Sequence, residues 1–189
     1  MSKRVAVLDA CIFYPAPLRD LFMQLSVSDL FQAKWTREIH AEWIYSLSKK
    51  RPDLKKENLE YIANLMDQHT RDCIVEDYQH IIPNLELPDP NDRHVLAAAI
   101  RSNSDTIVTL NLQDFPTKLI RKHDIVAKHP DDFILDLISI NANAVYNAAK
   151  THRLRLRNPP KNVDEYLATM KKQSLTNTIN LFEQNKSLI

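Results

Sequence analysis

Arg4-Val-Ala-Val-Leu-Asp9 is a run of four apolar residues closed by a cation on one side and an acid on the other. Unbroken apolar character, rather than alternation, marks a strand buried on both faces, and such strands belong to parallel sheets covered by helices. The strand exits into Asp9. An acid at the carboxyl end of a parallel strand sits at the edge of the sheet where ligands bind in open α/β folds.

Working outward, the chain alternates. Leu18, Leu21, Phe22 and Leu25 recur at helical spacing after Pro15-Ala-Pro17, which predicts a helix behind the first strand. Thr36 is a candidate N-cap, with Glu38 in the first turn, Ile39, Trp43 and Leu47 on one apolar stripe, and Glu42 at its edge. Leu59, Ile62, Ala63 and Met66 mark a further amphipathic helix, and Cys73-Ile-Val75 a short strand. Asp89-Pro-Asn-Asp92 then follows the rules for a helix start: Asp89 as cap, Pro90 at the first position, Asp92 three residues past the cap, and the apolar Val95–Ile100 behind them. Thr106-Ile-Val-Thr-Leu110 is a β-branched strand with Asn111 at its exit and Asp114 three residues on. A short helix at 118–122, an edge strand at 125–127 and a helix opened by Pro130-Asp-Asp132 complete the alternation. Beyond about Ala142 only helices are expected, one of them capped by Asn162 with Glu165 three residues on. The predicted class is α/β: a central parallel sheet flanked by helices over residues 1–141, with a C-terminal helical region over 142–189.

Composition excludes several chemistries. The 189 residues contain no glycine, so phosphate-cradling Walker loops, dinucleotide fingerprints and nucleophile elbows are ruled out. Asparagine, which tolerates left-handed backbone, is the expected substitute at turns. Cys11 and Cys73 show neither CxxC nor His pairing, which argues against zinc or a disulfide framework and for a reducing cytoplasm. No apolar run approaches the roughly 18 residues of a membrane helix, and Asp9 interrupts the N-terminal one too early for a signal peptide, so no membrane association is expected. Net charge is +1, but residues 149–189 hold eight Lys and Arg against three acids. That tail suits either a polyanion or simple solvation.

Asp9, Asp92 and Asp114 come from distant segments and are all expected at the same sheet edge. Like charges brought together raise one another's pKa and cost stability, so such a cluster calls for a hard cation. Carboxylates without His or Cys partners favour Mg²⁺ or Mn²⁺, and the chemistry that such an ion supports without a protein nucleophile is phosphodiester hydrolysis. Each acid alone has a plainer account as a cap, a loop acid or a solvated helix residue, and for Asp89 the cap is the better one. None of the histidines, His94 included, shows ligand spacing.

Together, Val7-Leu-Asp-Ala-Cys-Ile-Phe-Tyr-Pro-Ala-Pro-Leu-Arg-Asp20, Glu38-Ile-His-Ala-Glu-Trp43, Leu87-Pro-Asp-Pro-Asn-Asp-Arg-His-Val-Leu-Ala-Ala-Ala99 and Thr109-Leu-Asn-Leu-Gln-Asp-Phe115 resemble the successive motifs of PIN-domain nucleases, in particular the VapC-type toxins of bacterial toxin–antitoxin pairs. The resemblance covers about three quarters of the chain. It implies a PIN-like fold, metal contact by Asp9, Glu42, Asp92 and Asp114, and a pocket completed by Asn111 and Thr109. It further implies bound Mg²⁺ or Mn²⁺, water attack on RNA, a homodimer, and an antitoxin protein whose tail enters the site. Arg93 and the alternating Arg153, Arg155 and Arg157 are candidate RNA contacts. The chain departs from many relatives by carrying Cys11 where they have Asn or Ser, and from some by carrying Asn111 where they have an acid. A haloacid-dehalogenase phosphatase would need an acid at the Cys11 position, and a response-regulator receiver leaves Glu42 and Asp92 without a role. The non-enzymatic alternative is a degenerate PIN module that binds RNA or a protein without cutting.

Overall fold

The computed structural model describes residues 3–189. In chain order the elements are β1 (Val5–Leu8), α1 (Ala10–Phe13), α2 (Ala16–Val27), β2 (Gln32–Lys34), α3 (Arg37–Lys50), α4 (Lys56–His69), α5 (Arg93–Arg101), β3 (Thr106–Val108), α6 (Thr117–Ile120), β4 (Val126–Lys128), α7 (Pro130–Arg155), α8 (Val163–Lys171) and α9 (Thr176–Gln184). The chain packs as two compact units: one of residues up to Tyr14 together with Phe31–His129, the other of Pro15–Leu30 together with Pro130–Ile189.

The first unit holds the sheet. Its four strands run parallel in the order β2-β1-β3-β4. β1 pairs with β3 through Ala6 opposite Thr106, Val7 opposite Ile107 and Leu8 opposite Val108. Successive strands therefore move outward in opposite directions from the β1–β3 pair, which makes their shared carboxyl end the switch point of the fold. The ladder runs one residue further on each side, because the Asp9 N–H donates to the Val108 carbonyl at 3.1 Å and the Thr109 N–H to that of Lys128 at 3.0 Å. Asp9 and Thr109 are thereby fixed to the sheet edge.

Ala6, Val7, Leu8, Ile107 and Val108 are wholly buried, as the unbroken apolar runs require. α5 packs against β1 and β3, and its Val95–Ala99 stretch is fully enclosed. Thr36 caps α3 by accepting from the Ile39 N–H at 3.1 Å. Asp89 accepts from the Asn91 N–H at 2.8 Å and starts a tight 3-10 turn, Pro90–Asp92, that leads into α5. Two expectations change. Cys73–Val75 forms a single parallel bridge, Trp35 with Ile74, rather than a strand. The second strand is instead Gln32–Lys34, an edge segment in which only Ala33 is buried, so it offered no apolar run. The residues with left-handed backbone are Asp29, Asp72, Asp77, Asn103, Asp124 and Ser174; aspartate, more than asparagine, replaces glycine.

The second unit is helical. α7 packs with α2 and α9, and α8 with α9. Phe22 stacks on Phe133 at 6.0 Å between ring centres, and Tyr146 meets Phe182 edge-on at 5.7 Å. α7 is two helices in sequence. Asn141 leaves helical geometry (φ −153°, ψ 83°), and its side chain accepts from the Ala144 N–H at 3.1 Å, capping the second half. Asp131, buried in the first turn of α7, accepts from the Asn177 and Thr178 N–H groups at 2.9 and 2.8 Å and so caps α9 from 46 residues away. Asn162 and Glu165 form the expected capping box. Counted by packed unit, the helical unit carries nine Lys and Arg against eight acids, and the sheet unit sixteen against sixteen. The basic tail is thus balanced by Asp20, Asp29, Asp131, Asp132 and Asp136 within its own unit. No helix of the described residues is long and apolar enough to cross a membrane.

Candidate active site

The site grows from the β1–β3 switch point. Asp9 is 7% exposed. Its Oδ2 accepts from the Thr109 hydroxyl at 2.7 Å and from the Cys11 thiol at 3.1 Å. The Thr109 oxygen in turn accepts from the Asn111 backbone N–H at 3.0 Å, and the Cys11 sulfur from the Leu110 N–H at 3.2 Å. Each donor that orients Asp9 is therefore itself held by the backbone that follows β3. Burial, with the Asp9 charge adding to it, pushes the Cys11 thiol far up, so it stays protonated and acts as a donor.

Asp92 lies at the end of the turn that precedes α5, half-buried. Its carboxyl is pushed up to about 6 by burial first, then by the charges of Asp9, Asp114, Asp89 and Glu42. All of the sequence-predicted acids thus act electrostatically on one group. Asp114 closes the short 3-10 turn Leu112–Asp114, which the Asp114 N–H ties to the Asn111 carbonyl at 3.1 Å. Asn111 joins the network through its backbone N–H, and the residue is exposed. Glu42 projects from α3, and its Oε1 accepts from His94 Nε2 at 2.9 Å. Among the described residues, no three carboxylate, imidazole or thiol groups stand close enough to form a finished coordination shell. The acids share a field without touching.

A PIN-domain family model matches residues 5–113, more than half of the chain; it takes in β1, β2 and β3 and stops short of Asp114, α6 and β4. The chain belongs to the PIN-domain family. A second model, described as the VapC50 C-terminal domain, matches residues 130–184, which lie in the helical unit. Among curated proteins, "Putative ribonuclease VapC50" of Mycobacterium tuberculosis (strain ATCC 25618 / H37Rv) is 49% identical over 53 residues, 28% of this chain and 31% of that protein. The aligned segment spans about a third of that relative. No solved structure matches the chain.

Within the PIN domain, two residues of the site escaped the reading of the sequence. Cys11, read from the sequence only as a departure from the family pattern, donates a hydrogen bond from its thiol to Asp9. His94 is a buried histidine whose signal was its place: two residues after Asp92, in the first turn of the α5 helix. The arginines divide. Arg93 is half-buried, with an enclosed Nε that has no hydrogen-bond partner. Arg153 is spent inside the helical unit on the carbonyls of Lys161 and Ile189, each at 3.2 Å, and Arg155 donates to Gln24 at 2.7 Å. Arg157 is exposed.

Proposed function

We propose that this chain is a metal-dependent endoribonuclease that hydrolyses RNA phosphodiester bonds and serves as the toxin of a type II toxin–antitoxin pair. The observation that carries this reading is Asp92, a carboxyl held up to about 6 with Asp9, Asp114 and Glu42 among its causes. Burial together with neighbouring acids of this kind is a usual mark of a functional site, where a bound cation would relieve the repulsion. The donor set is oxygen-rich and lacks thiolate ligands, which suits Mg²⁺ or Mn²⁺. Asp9, Glu42, Asp92 and Asp114, with Asn111, would hold the ion. When bound, it supplies charge neutralisation at the phosphate and an activated water.

The protein's own contribution is orientation. Thr109 and Cys11 occupy one oxygen of Asp9 and hold its carboxylate at a fixed angle on the sheet edge. Arg93, half-buried and next to Asp92 in sequence, would offer the outer nitrogens of its guanidinium, not its enclosed Nε, to a phosphate oxygen. Arg157 is exposed and would be available to a phosphate, whereas Arg153 and Arg155 would first have to give up the contacts they hold. The reading includes work in the cytoplasm, a homodimer, and an antitoxin protein that covers the acidic edge.

The test is cleavage of a structured RNA by the purified protein. Cutting that needs Mg²⁺ or Mn²⁺, stops with EDTA and is lost in Asp9→Asn is the expected result. Binding without cutting in every metal would turn the reading to the degenerate module. Toxicity on expression, relieved by coexpressing the product of the adjacent open reading frame, tests the toxin assignment separately.

A further inference from the structure

His94 is buried beside the acids: its side chain is 3% accessible, between two carboxylates of one helix face. Glu38 and Glu42 are four residues apart on α3 and therefore neighbours along that face. His94 Nε2 lies 2.9 Å from Glu42 Oε1. A carboxylate only accepts, so Nε2 carries the hydrogen. Nδ1 lies 3.7 Å from Glu38 Oε2, beyond hydrogen-bond reach, and has no other hydrogen-bond partner. Glu38 is itself held from the other side by the Tyr78 hydroxyl, which donates to Oε2 at 2.9 Å. A chain of contacts thus runs from Tyr78 through Glu38 and His94 to Glu42.

This chain crosses between helices. Glu42 belongs to α3, whereas His94 belongs to the first turn of α5, two residues after Asp92. The bond from His94 to Glu42 therefore sets the position of one acid relative to the start of the helix that presents the other. Half-exposed on a helix, Glu42 would otherwise sample several rotamers, and ordering it on an ion would cost entropy at the moment of binding. A fixed partner removes that cost beforehand.

We infer that His94 is a positioning residue that holds Glu42 against the start of α5, so that Glu42 and Asp92 face a divalent ion already spaced. The inference rests on the metal-site reading above and extends it to a residue outside the set of acids. A merely structural histidine would join the helices without affecting the ion.

Mn²⁺ binding to the whole purified protein, followed by calorimetric titration without RNA, separates the two. Asp9→Asn is the control for the site itself and should abolish or greatly weaken binding. His94→Leu should bind Mn²⁺ about 10–100-fold more weakly than wild type. His94→Gln, which retains an amide donor at similar reach, should recover most of that loss. In the Glu42→Gln background, removing His94 should cost little further, because its route to the ion is gone. Circular dichroism checks that each variant is folded, and His94→Asn, polar but too short to reach Glu42, takes the place of His94→Leu if that variant is not. Equal Mn²⁺ binding by wild type and Asp9→Asn would overturn the metal-site reading and this inference with it. A folded His94→Leu or His94→Asn that binds Mn²⁺ as wild type does, while Asp9→Asn does not, would overturn the inference alone. So would an equal loss on removing His94 in the presence and absence of the Glu42 carboxylate.

Discussion

Asp67 and Asp92 are both half-buried acids of the PIN domain, and their surroundings are opposite in kind. Asp67, near the end of α4, accepts from Trp35 Nε1 at 2.8 Å, from His40 Nε2 at 3.0 Å and from the Arg37 guanidinium. His40 is secured in turn, its Nδ1 accepting from Trp43 Nε1 at 2.9 Å. Asp92 instead is pushed up by burial first and then by the charges of Asp9, Asp114, Asp89 and Glu42. One acid is surrounded by donors, and the other feels the repulsion of more acids. The first arrangement joins α3 to α4 and needs nothing from outside; the second costs stability and makes sense as a place for a cation. On the proposed function, this contrast within one small domain separates an acid that serves folding from acids that would serve binding.

The largest effect expected from this contrast is on activity. Asp9→Asn should lower RNA cleavage by at least about 10²–10³-fold, the usual scale for removing a group aimed at developing charge, with the melting temperature little changed. A variant that cuts as well as wild type would remove Asp9 from the mechanism. Asp67→Ala should do the reverse. It leaves Trp35, His40 and Arg37 donors without their acceptor and should destabilise the fold by roughly 2–4 kcal/mol in urea unfolding, while the protein that remains folded still cuts RNA.

A smaller effect of opposite sign is expected at Asp92. Its folded carboxyl lies above its ordinary 3.8, so folding takes up a proton, and the metal-free protein loses stability as pH rises from 3.8 to about 6. Asp92→Asn should remove that loss and stabilise the metal-free protein at pH 7 by roughly 1 kcal/mol, after allowing for solvent screening of a half-exposed group. Saturating Mn²⁺ should reverse the order, because only the wild type then gains from the ion. Destabilisation of the metal-free protein by Asp92→Asn would show that the acids do not repel one another.

The smallest effect is the pH response of the satisfied cluster. Burial holds His40 below its ordinary 6.5, with Arg37 acting in the same sense and Asp67 against it. Protonation would place a hydrogen on Nδ1 and displace the Trp43 N–H. The contribution is thus complete above 6.5 and is lost as pH falls below it, since the unfolded chain takes up the proton first. His40→Gln should flatten the stability profile on that acid side, and an unchanged slope would show that His40 does not titrate with folding.

Much of this was legible before the fold was known, and for physical reasons. β1 and β3 announced themselves because strands buried on both faces must be continuously apolar, and the acids after them followed from sheet geometry. Asp89-Pro90 was readable because cap chemistry is local. β2 was not, since an edge strand of Gln32-Ala-Lys34 buries only Ala33 and relies on pairing that no local pattern encodes. The turns were misjudged in one respect: Asp, with its own short side chain to satisfy the local backbone, took four of the six left-handed positions expected to favour Asn. His94 was missed because its role depends on Glu38 and Glu42, more than fifty residues earlier, and spacing along one helix cannot reveal a partner on another. The near balance of charge in the helical unit was hidden for the same reason, since the acids that offset its tail come from α2, the turn after it and the first half of α7.

The most direct test is a crystal structure of the wild-type protein grown with Mn²⁺, with the ion located by its anomalous signal. The account predicts Mn²⁺ at the carboxyl end of β1 and β3, with oxygens of Asp9 and at least one of Glu42, Asp92 and Asp114 at roughly 2 Å, the range of a small hard divalent ion. An anomalous map with no peak at that edge, the acids lying apart at saturating Mn²⁺, would contradict it.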